Sequence, residues 1–340
     1  MWQQWFERQW QVTSWAHALL IPVSWLFALL ACLRRWGYRW NMFPATKLPV
    51  PVIVIGNISV GGVGKTPLVI YLARQLRAAG YHPGILSRGY GGQQTGEVLP
   101  DSDPGQYGDE PVLIAQRSAC PVYVHPARAE GGQGLLQLYP QTDVLICDDG
   151  LQHYALQRDI EIAVVQRPQG LGNGRLLPAG PLRESMRRLQ QVDLVVESGQ
   201  LPATPSTGPV FRQVLQAGHW TSVSDFSTTT TPEALRQRPL LAIAGIGHPQ
   251  RFFQSLQAMD LSCETRIFAD HHAYSSADFN QVMGKKTILM TEKDAVKCRH
   301  LGLTDAWFLP VEAVLAPVGH AQSFTDCVTG LLQQREGTSK

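Results

Sequence analysis

Apolar and polar residues alternate in blocks along this chain, and the period of the alternation switches repeatedly between that of a strand and that of a helix. Pro51-Val52-Ile53-Val54-Ile55 is a β-branched run bounded like a buried strand. A glycine-rich stretch follows, and then Leu68, Leu72 and Leu76 recur at helical spacing between Lys65 and Ala79, closed by Gly80. Short apolar strands are expected next at 84–87, 121–125, 143–147, 160–165 and 192–197, separated by helical stretches. That order predicts an α/β fold with a mostly parallel sheet and helices on both faces.

The rhythm breaks at 198–239, which is rich in Thr, Ser, Gln and Pro and carries Ser227-Thr228-Thr229-Thr230-Thr231 before Pro232. A linker or inter-domain strand pair is expected there. Alternation resumes with Leu240-Leu241-Ala242-Ile243-Ala244-Gly245, a helix near 251–259, a strand around 266–268 and another at 287–290. The reading is therefore a nucleotide-binding and catalytic domain over 46–200, a hinge over 201–239 and a smaller α/β domain over 240–325. No internal repeat interrupts it.

Residues 1–45 follow a different pattern. From 15 to 33 the run is mostly apolar and lacks Lys, Arg, Asp and Glu, with His17, Pro22 and Ser24 as interruptions. Seven of the nine tryptophans precede residue 41, and Arg34, Arg35 and Arg39 follow the run as a basic flank. Nineteen helical residues extend roughly 28 Å, enough to span a bilayer, while Pro22 and the tryptophans also suit a helix lying in one leaflet. A buried core helix is the bland alternative. Ala28-Leu29-Leu30-Ala31-Cys32 loosely matches a lipoprotein cleavage site, but the basic residues stand after the apolar run instead of before it.

Composition narrows the classes. The chain has 340 residues, 44% of them hydrophobic, which suits about two domains, and its net charge of +2 gives no reason to expect a nucleic-acid partner. Six scattered cysteines without C-x-x-C spacing argue against a zinc site or a disulfide framework, and fit a reducing cytosol.

The chemistry is concentrated at strand ends. Ser59-Val60-Gly61-Gly62-Val63-Gly64-Lys65-Thr66 lies between the first strand and its helix and reads as a phosphate-binding loop, with Ser59 where the usual pattern has glycine. Glycines let backbone N–H groups curve around phosphate oxygens, Lys65 reaches the terminal phosphates and the Thr66 hydroxyl is suited to Mg²⁺. Asp148 and Asp149 end an apolar strand, where a nucleotide-hydrolysing fold places its metal-side acid; a polar turn is the alternative. Gly108-Asp109-Glu110-Pro111 opens a helical stretch, so Asp109 is either a helix cap or a base that takes a proton from an attacking hydroxyl. Asp270-His271-His272 offers an acid–base partner from the second domain or a surface histidine pair. Ser87-Arg88-Gly89-Tyr90-Gly91-Gly92 and Gly180-Pro181-Leu182-Arg183-Glu184 place arginines in turns, suited to phosphate or simply solvated.

Taken in order, the N-terminal apolar segment, Gly56 to Thr66, Ser87 to Gly92, Gly108 to Pro111, Asp148-Asp149-Gly150-Leu151-Gln152-His153, Gly180 to Glu184, Asp270-His271-His272 and Thr291-Glu292-Lys293-Asp294 resemble the tetraacyldisaccharide 4′-kinase family. The resemblance covers nearly the whole chain and departs at Ser185, where proline is expected. It implies a P-loop NTPase-like domain and a smaller α/β domain joined by a two-stranded hinge. It also implies ATP- and Mg²⁺-dependent phosphorylation of the 4′-hydroxyl of an acylated glucosamine disaccharide, a lipid A precursor, with no obligate protein partner. The place implied is the cytosolic face of the Gram-negative inner membrane, held by the N-terminal segment.

Residue by residue, the resemblance makes Asp109 the base and His271 its partner, gives Lys65 a catalytic as well as a phosphate-binding role, and assigns Thr66, Asp148 and Asp149 to the metal side. Arg88, His153 and Arg183 are the expected substrate contacts. Two rivals remain at this level: a membrane-associated ATPase switch, disfavoured because Val60 stands where dimerising members carry lysine, and a soluble small-molecule kinase or ligase. Thr291-Glu292-Lys293-Asp294 lacks the N-K-x-D spacing that a GTPase uses for guanine.

Overall fold

A computed structural model describes residues 10, 15–62, 64–166, 171–199 and 206–338. The chain divides into two compact units: Met1–Arg88, His125–Val214 and Val314–Lys340 form unit 1, and Gly89–Val124 with Leu215–Ala313 form unit 2. The segment 89–124 therefore belongs with unit 2, where contiguous boundaries were expected. The chain leaves unit 1 after its second strand and returns to it 36 residues later. Part of the expected hinge, 201–205, and Val63 of the phosphate loop lie outside the described residues.

Elements are numbered along the chain. Unit 1 contains α1 (Trp15–Arg39), β1 (Val52–Gly56), α2 (Lys65–Ala78), β2 (Pro83–Ser87), α4 (Arg128–Leu138), β5 (Val144–Asp148), β6 (Ile160–Gln166), β7 (Leu194–Ser198) and α7 (Phe324–Thr338). Two further strands, β8 (Val210–Ala217) and β15 (Val311–Val318), carry the chain across the unit boundary. The strand order is β15-β8-β7-β6-β1-β5-β2, and β2, β5, β1, β6, β7 and β8 run parallel. All five residues of β1 and of β5 are buried, which is what a strand covered on both faces requires of its β-branched run. Because Ile55 pairs with Asp148, the end of β1 that feeds the glycine-rich loop lies beside the acidic end of β5.

In unit 2, β3 (Gly96–Val98) and β4 (Val122–Val124) pair antiparallel around α3 (Asp109–Ser118). The larger part has α5 (Pro249–Ala258), α6 (Glu292–Cys298), β9 (Trp220–Ser222), β10 (Thr229–Thr230), β11 (Leu240–Ala244), β12 (Glu264–Ile267), β13 (Thr287–Thr291) and β14 (Ala306–Leu309). Its sheet order is β10-β9-β14-β13-β11-β12, parallel from β14 through β12. Leu241, Ile243, Ile288 and Met290 enter one core, and Leu240, Ala242, Ala244 and Leu289 the other. Strict alternation along β11 and β13 thus fills both faces of one sheet. The expected strands recur within a residue or two of their predicted ends; β8, β9 and β10 occupy the stretch that sequence pattern marks as irregular.

The N-terminal run forms one helix, α1, with Pro22 inside it, and it continues through the arginines to Arg39. It is long and apolar enough to cross a membrane. Leu19, Trp25, Leu26, Leu29, Leu30, Leu33 and Trp36 are all exposed, Trp25 to 70%, so the bland reading of a buried core helix does not hold. At its end the backbone folds back: Met42 and Phe43 N–H groups donate to the Gly37 carbonyl at 2.8 and 3.2 Å. A Cβ at Gly37 would meet the Phe43 ring at 2.3 Å, so only glycine lets that ring close on the helix.

Candidate active site

In unit 1 the glycine-rich loop leaves β1 and opens α2 through Gly64, the N-cap, at φ 83°. Gly61 is also left-handed, at φ 103°, whereas Ser59 is not among the positive-φ residues. Ser59 instead makes an antiparallel bridge with Leu182, and the Val60 N–H donates to the Pro181 carbonyl at 2.9 Å. A side chain at position 59 is therefore tolerated because the turn asks for left-handed backbone only further on. A Cβ added at Gly61 or Gly62 would meet no atom within 4 Å, so there is room beside both residues for a phosphate group.

Lys65 Nζ sits 2.7 Å from Asp149 Oδ1 and donates to Asn57 Oδ1 at 3.2 Å. Arg183 Nη1 reaches the other Asp149 oxygen at 3.3 Å. Burial raises the Asp149 carboxyl pKa, but the charges of Lys65 and Arg183 outweigh it and hold it at about 2. Asp149 is itself left-handed, at φ 50°, a conformation costing a non-glycine residue roughly 1–2 kcal/mol and one that collects at functional sites. Asp148 is buried at the end of β5, where its carbonyl accepts from Arg128 Nη2 at 2.9 Å. Thr66 is buried in the first turn of α2.

These oxygens are hard donors, and among the described residues no cluster of three or more His, Cys, Asp or Glu makes a dedicated metal cage. That set fits Mg²⁺, which takes one or two carboxylates and completes its shell with water and substrate phosphate. Arg88 is exposed just past β2. His153 is partly buried, and burial followed by the charges of Arg128 and Arg88 lowers it to about 4, so it is a neutral imidazole at physiological pH.

Unit 2 holds the other cluster. Gly108, at φ 94°, is the N-cap of α3, and Asp109 is its first residue, so the capping alternative falls to the glycine. Asp109 is 5% exposed. His271 Nδ1 lies 3.0 Å from both of its oxygens, Lys297 Nζ lies 4.0 Å from Oδ2, and Lys293 bonds the adjacent Glu110. Burial pushes the Asp109 carboxyl up, but the hydrogen bond to His271 and the charges of Lys293, His271 and Lys297 overcome it and leave it below the ordinary carboxylate range. Reciprocally, the bond to Asp109 raises the imidazole of His271 against the opposing effect of burial. His271 is left-handed as well, at φ 58°, and its ring lies 5.1 Å from that of Tyr90.

One expectation is corrected here: Asp109 and His271 do not come from opposite domains, because the excursion 89–124 is part of unit 2. The second histidine takes no part, since His272 Nε2 faces Asp278 at 3.5 Å and its ring packs near Phe268. Asn57, Gln152, Gln213, Glu110 and Lys297 were given no individual role by sequence reasoning. Gln213 Nε2 donates to the Gly64 carbonyl at 3.1 Å, and no local pattern marks it. Lys293 stands in the Thr-Glu-Lys-Asp motif, which was the available signal.

Comparison with known proteins places the chain in a family. The Tetraacyldisaccharide-1-P 4′-kinase family profile matches residues 16–331. The chain is 48% identical over 326 residues to a tetraacyldisaccharide 4′-kinase from Dechloromonas aromatica, covering 92% of this chain and 94% of that protein. With the enzyme of the same name from Azoarcus it shares 49% identity over 300 residues, 87% of each. A crystal structure of LpxK from Aquifex aeolicus in complex with ATP is similar with a TM-score of 0.79 at 29% identity, over 93% of this chain and 99% of that one.

Proposed function

This chain belongs to the tetraacyldisaccharide-1-P 4′-kinase family, and from that premise we propose which of its residues perform the transfer. The reaction moves the γ-phosphate of ATP to the 4′-hydroxyl of a tetraacylated disaccharide, a step of lipid A synthesis. The observation that carries the assignment is the buried Asp109 carboxylate with the His271 imidazole 3.0 Å from both its oxygens. A sugar hydroxyl is too weak an acid to ionise freely at neutral pH, so a carboxylate that takes its proton as the new P–O bond forms lowers the barrier. The neighbouring cations favour the ionised form of Asp109, and the His271 imidazole, 3.0 Å from both oxygens, keeps one orientation of the carboxylate.

On the donor side, the backbone of Ser59–Gly62 and Gly64–Thr66 cradles the phosphates; Val63, expected beside them, lies outside the described residues. Lys65 exchanges its carboxylate partner for phosphate oxygens, and Arg183 stays beside them; Arg88 and the neutral His153 contact the acceptor. Thr66, Asp148 and Asp149 would hold Mg²⁺. When bound, Mg²⁺ neutralises charge on the phosphate oxygens. The exposed apolar face of α1 and the arginines near its C-terminal end suit a lipid surface, and we assign α1 to the cytosolic face of the inner membrane, next to an acylated, anionic substrate. A switch ATPase needs no proton acceptor set apart from its phosphate loop, so the Asp109–His271 pair favours the kinase.

The test is ATP-dependent transfer of labelled phosphate to purified tetraacyldisaccharide 1-phosphate, run beside ATP hydrolysis without lipid. Transfer that vanishes in Asp109→Ala while ATP binding persists is expected. Rapid hydrolysis with no transfer would favour the switch.

A further inference from the structure

Within unit 1, a continuous series of side chains joins the last turn of α1 to the lysine of the phosphate loop. Tyr38 of α1 lies against Tyr154 with ring centroids 6.1 Å apart, and Arg158 covers the Tyr154 ring at 4.9 Å. The Tyr154 hydroxyl donates to Glu184 Oε1. The other Glu184 oxygen accepts from Gln152 Nε2 at 3.4 Å, and the same nitrogen donates to the Asn57 carbonyl at 3.0 Å. Asn57 is fully buried; its Oδ1 receives Lys65 and its Nδ2 donates to the Gly61 carbonyl at 3.4 Å. The backbone repeats the connection, since the N–H groups of Arg183 and Glu184 both donate to the Ile58 carbonyl, at 2.7 and 3.3 Å.

We propose that Tyr154 is a positioning residue for phosphoryl transfer, fixing the phosphate-loop lysine through Glu184, Gln152 and Asn57 and tying that lysine to the seat of α1 at Tyr38. The inference rests on the kinase reading above and extends it beyond the residues assigned to nucleotide and metal. Tyr154 is suited to this task because its hydroxyl keeps its proton: burial and the Glu184 charge push it up to about 12, so it remains a donor across the working pH range. Glu184 is also shared with Arg188, whose Nε lies 3.6 Å from Oε2 while its Nη2 bonds Glu161. The carboxylate is thus anchored from the side of the core, and Tyr154 sets its remaining oxygen. A second tie runs from α1 to the same segment, because Ser24 Oγ donates to the Leu176 carbonyl at 2.8 Å and Leu176 bridges Leu182 next to Arg183.

The link has a mechanical consequence. Lys65 acts on charge that develops at the transferring phosphate, so a misplaced lysine lowers kcat more than it weakens lipid binding. A helix seated in lipid then favours a loop set for transfer, and a displaced helix loosens it.

The test uses the full chain in phosphatidylethanolamine–phosphatidylglycerol vesicles with ATP and tetraacyldisaccharide 1-phosphate. Tyr154→Phe keeps the ring and removes one hydrogen bond to a charged acceptor, and is expected to lower kcat about tenfold with KM for the lipid changed less than about twofold. Tyr38→Ala is expected to show a smaller kcat loss that Tyr38→Phe, which keeps the ring, rescues. The double variant Tyr38→Ala/Tyr154→Phe should fall no further than Tyr154→Phe alone, because both act through one series. Gln152→Met, which breaks the series at another bond, should reproduce the kcat loss if Tyr154→Phe proves unstable on thermal melting. Undiminished kcat in both Tyr154→Phe and Gln152→Met, losses that multiply in the double variant, or a change confined to the lipid KM would overturn the proposal. Absence of transfer by the unaltered chain would instead overturn the kinase reading, and the proposal with it.

Discussion

Two carboxylates, Asp149 in unit 1 and Asp109 in unit 2, are each surrounded by cations and each held below the ordinary pKa, yet by different means. Asp149 is about one-third exposed and is paired with a lysine and an arginine. Asp109 is almost wholly buried, and its closest partner is a histidine, the side chain whose charge changes near neutrality. Under the proposed roles, a carboxylate that handles metal and phosphate profits from two cationic partners, and one that accepts a proton profits from a partner able to respond to it.

The contrast can be broken most severely at Asp109. Asp109→Ala is expected to reduce kcat by about 10³–10⁴-fold while equilibrium ATP binding stays near that of the unaltered chain, since under the proposed assignment it removes the proton acceptor alone. Lys65→Ala should cost about 10²–10³-fold in kcat/KM and weaken ATP binding as well, measured by titration with a fluorescent ATP analogue. If the two variants lost ATP binding equally, the division of labour between the clusters would be wrong.

His271→Asn is expected to lower kcat about 10–100-fold and to change the shape of the pH profile. The folded-state pKa of His271 is raised, so its pair with Asp109 contributes stability fully below the unfolded value near 6.5 and loses it as pH rises through the folded value. The difference in chemical-denaturation stability between the unaltered chain and His271→Asn should therefore shrink as pH rises above about 6.5. Loss of His271 also raises Asp109, which moves the acid limb of kcat toward neutrality. Asp149 behaves in the opposite sense. Its pKa is depressed to about 2, so its contribution is present above 3.8 and disappears only as pH falls toward 2; Asp149→Asn should show no change in relative stability between pH 6 and 9.

The smallest effect sharpens the backbone side of the comparison. Ser185 has φ −64°, already the value that a proline ring imposes. Ser185→Pro should raise the stability of unit 1 by about 0.4–1 kcal/mol in a thermal melt, with transfer activity unchanged.

How much of this was readable in advance depended on whether the determining interactions were local. The strand–loop–helix order from Val52 to Ala78 was legible because periodicity and glycine placement are local signals. The strands β8 and β15 were not, since four of the last residues of β8 and much of β15 are exposed and carry no alternation strong enough to mark them. Lys65, Asp149, Asp109 and His271 were named from their motifs. Asn57, Gln152 and Tyr154 gained their roles only where β1 and the turn after β5 come together. The left-handed backbone of Asp149 and His271 had no sequence warning, because neither residue is glycine. The dyad was expected to draw on two domains, and that error follows from one excursion of the chain that no boundary composition announces.

That excursion has a consequence for modularity. A cut at the change of pattern near residue 200 would separate His271 from Asp109, because the aspartate is encoded in the other half of the gene although it folds with the histidine's unit. The second unit cannot be exchanged between relatives as one contiguous cassette: any exchange that keeps the Asp109–His271 pair within one parent has to move 89–124 along with 215–313, so the two stretches form one heritable part written in two places.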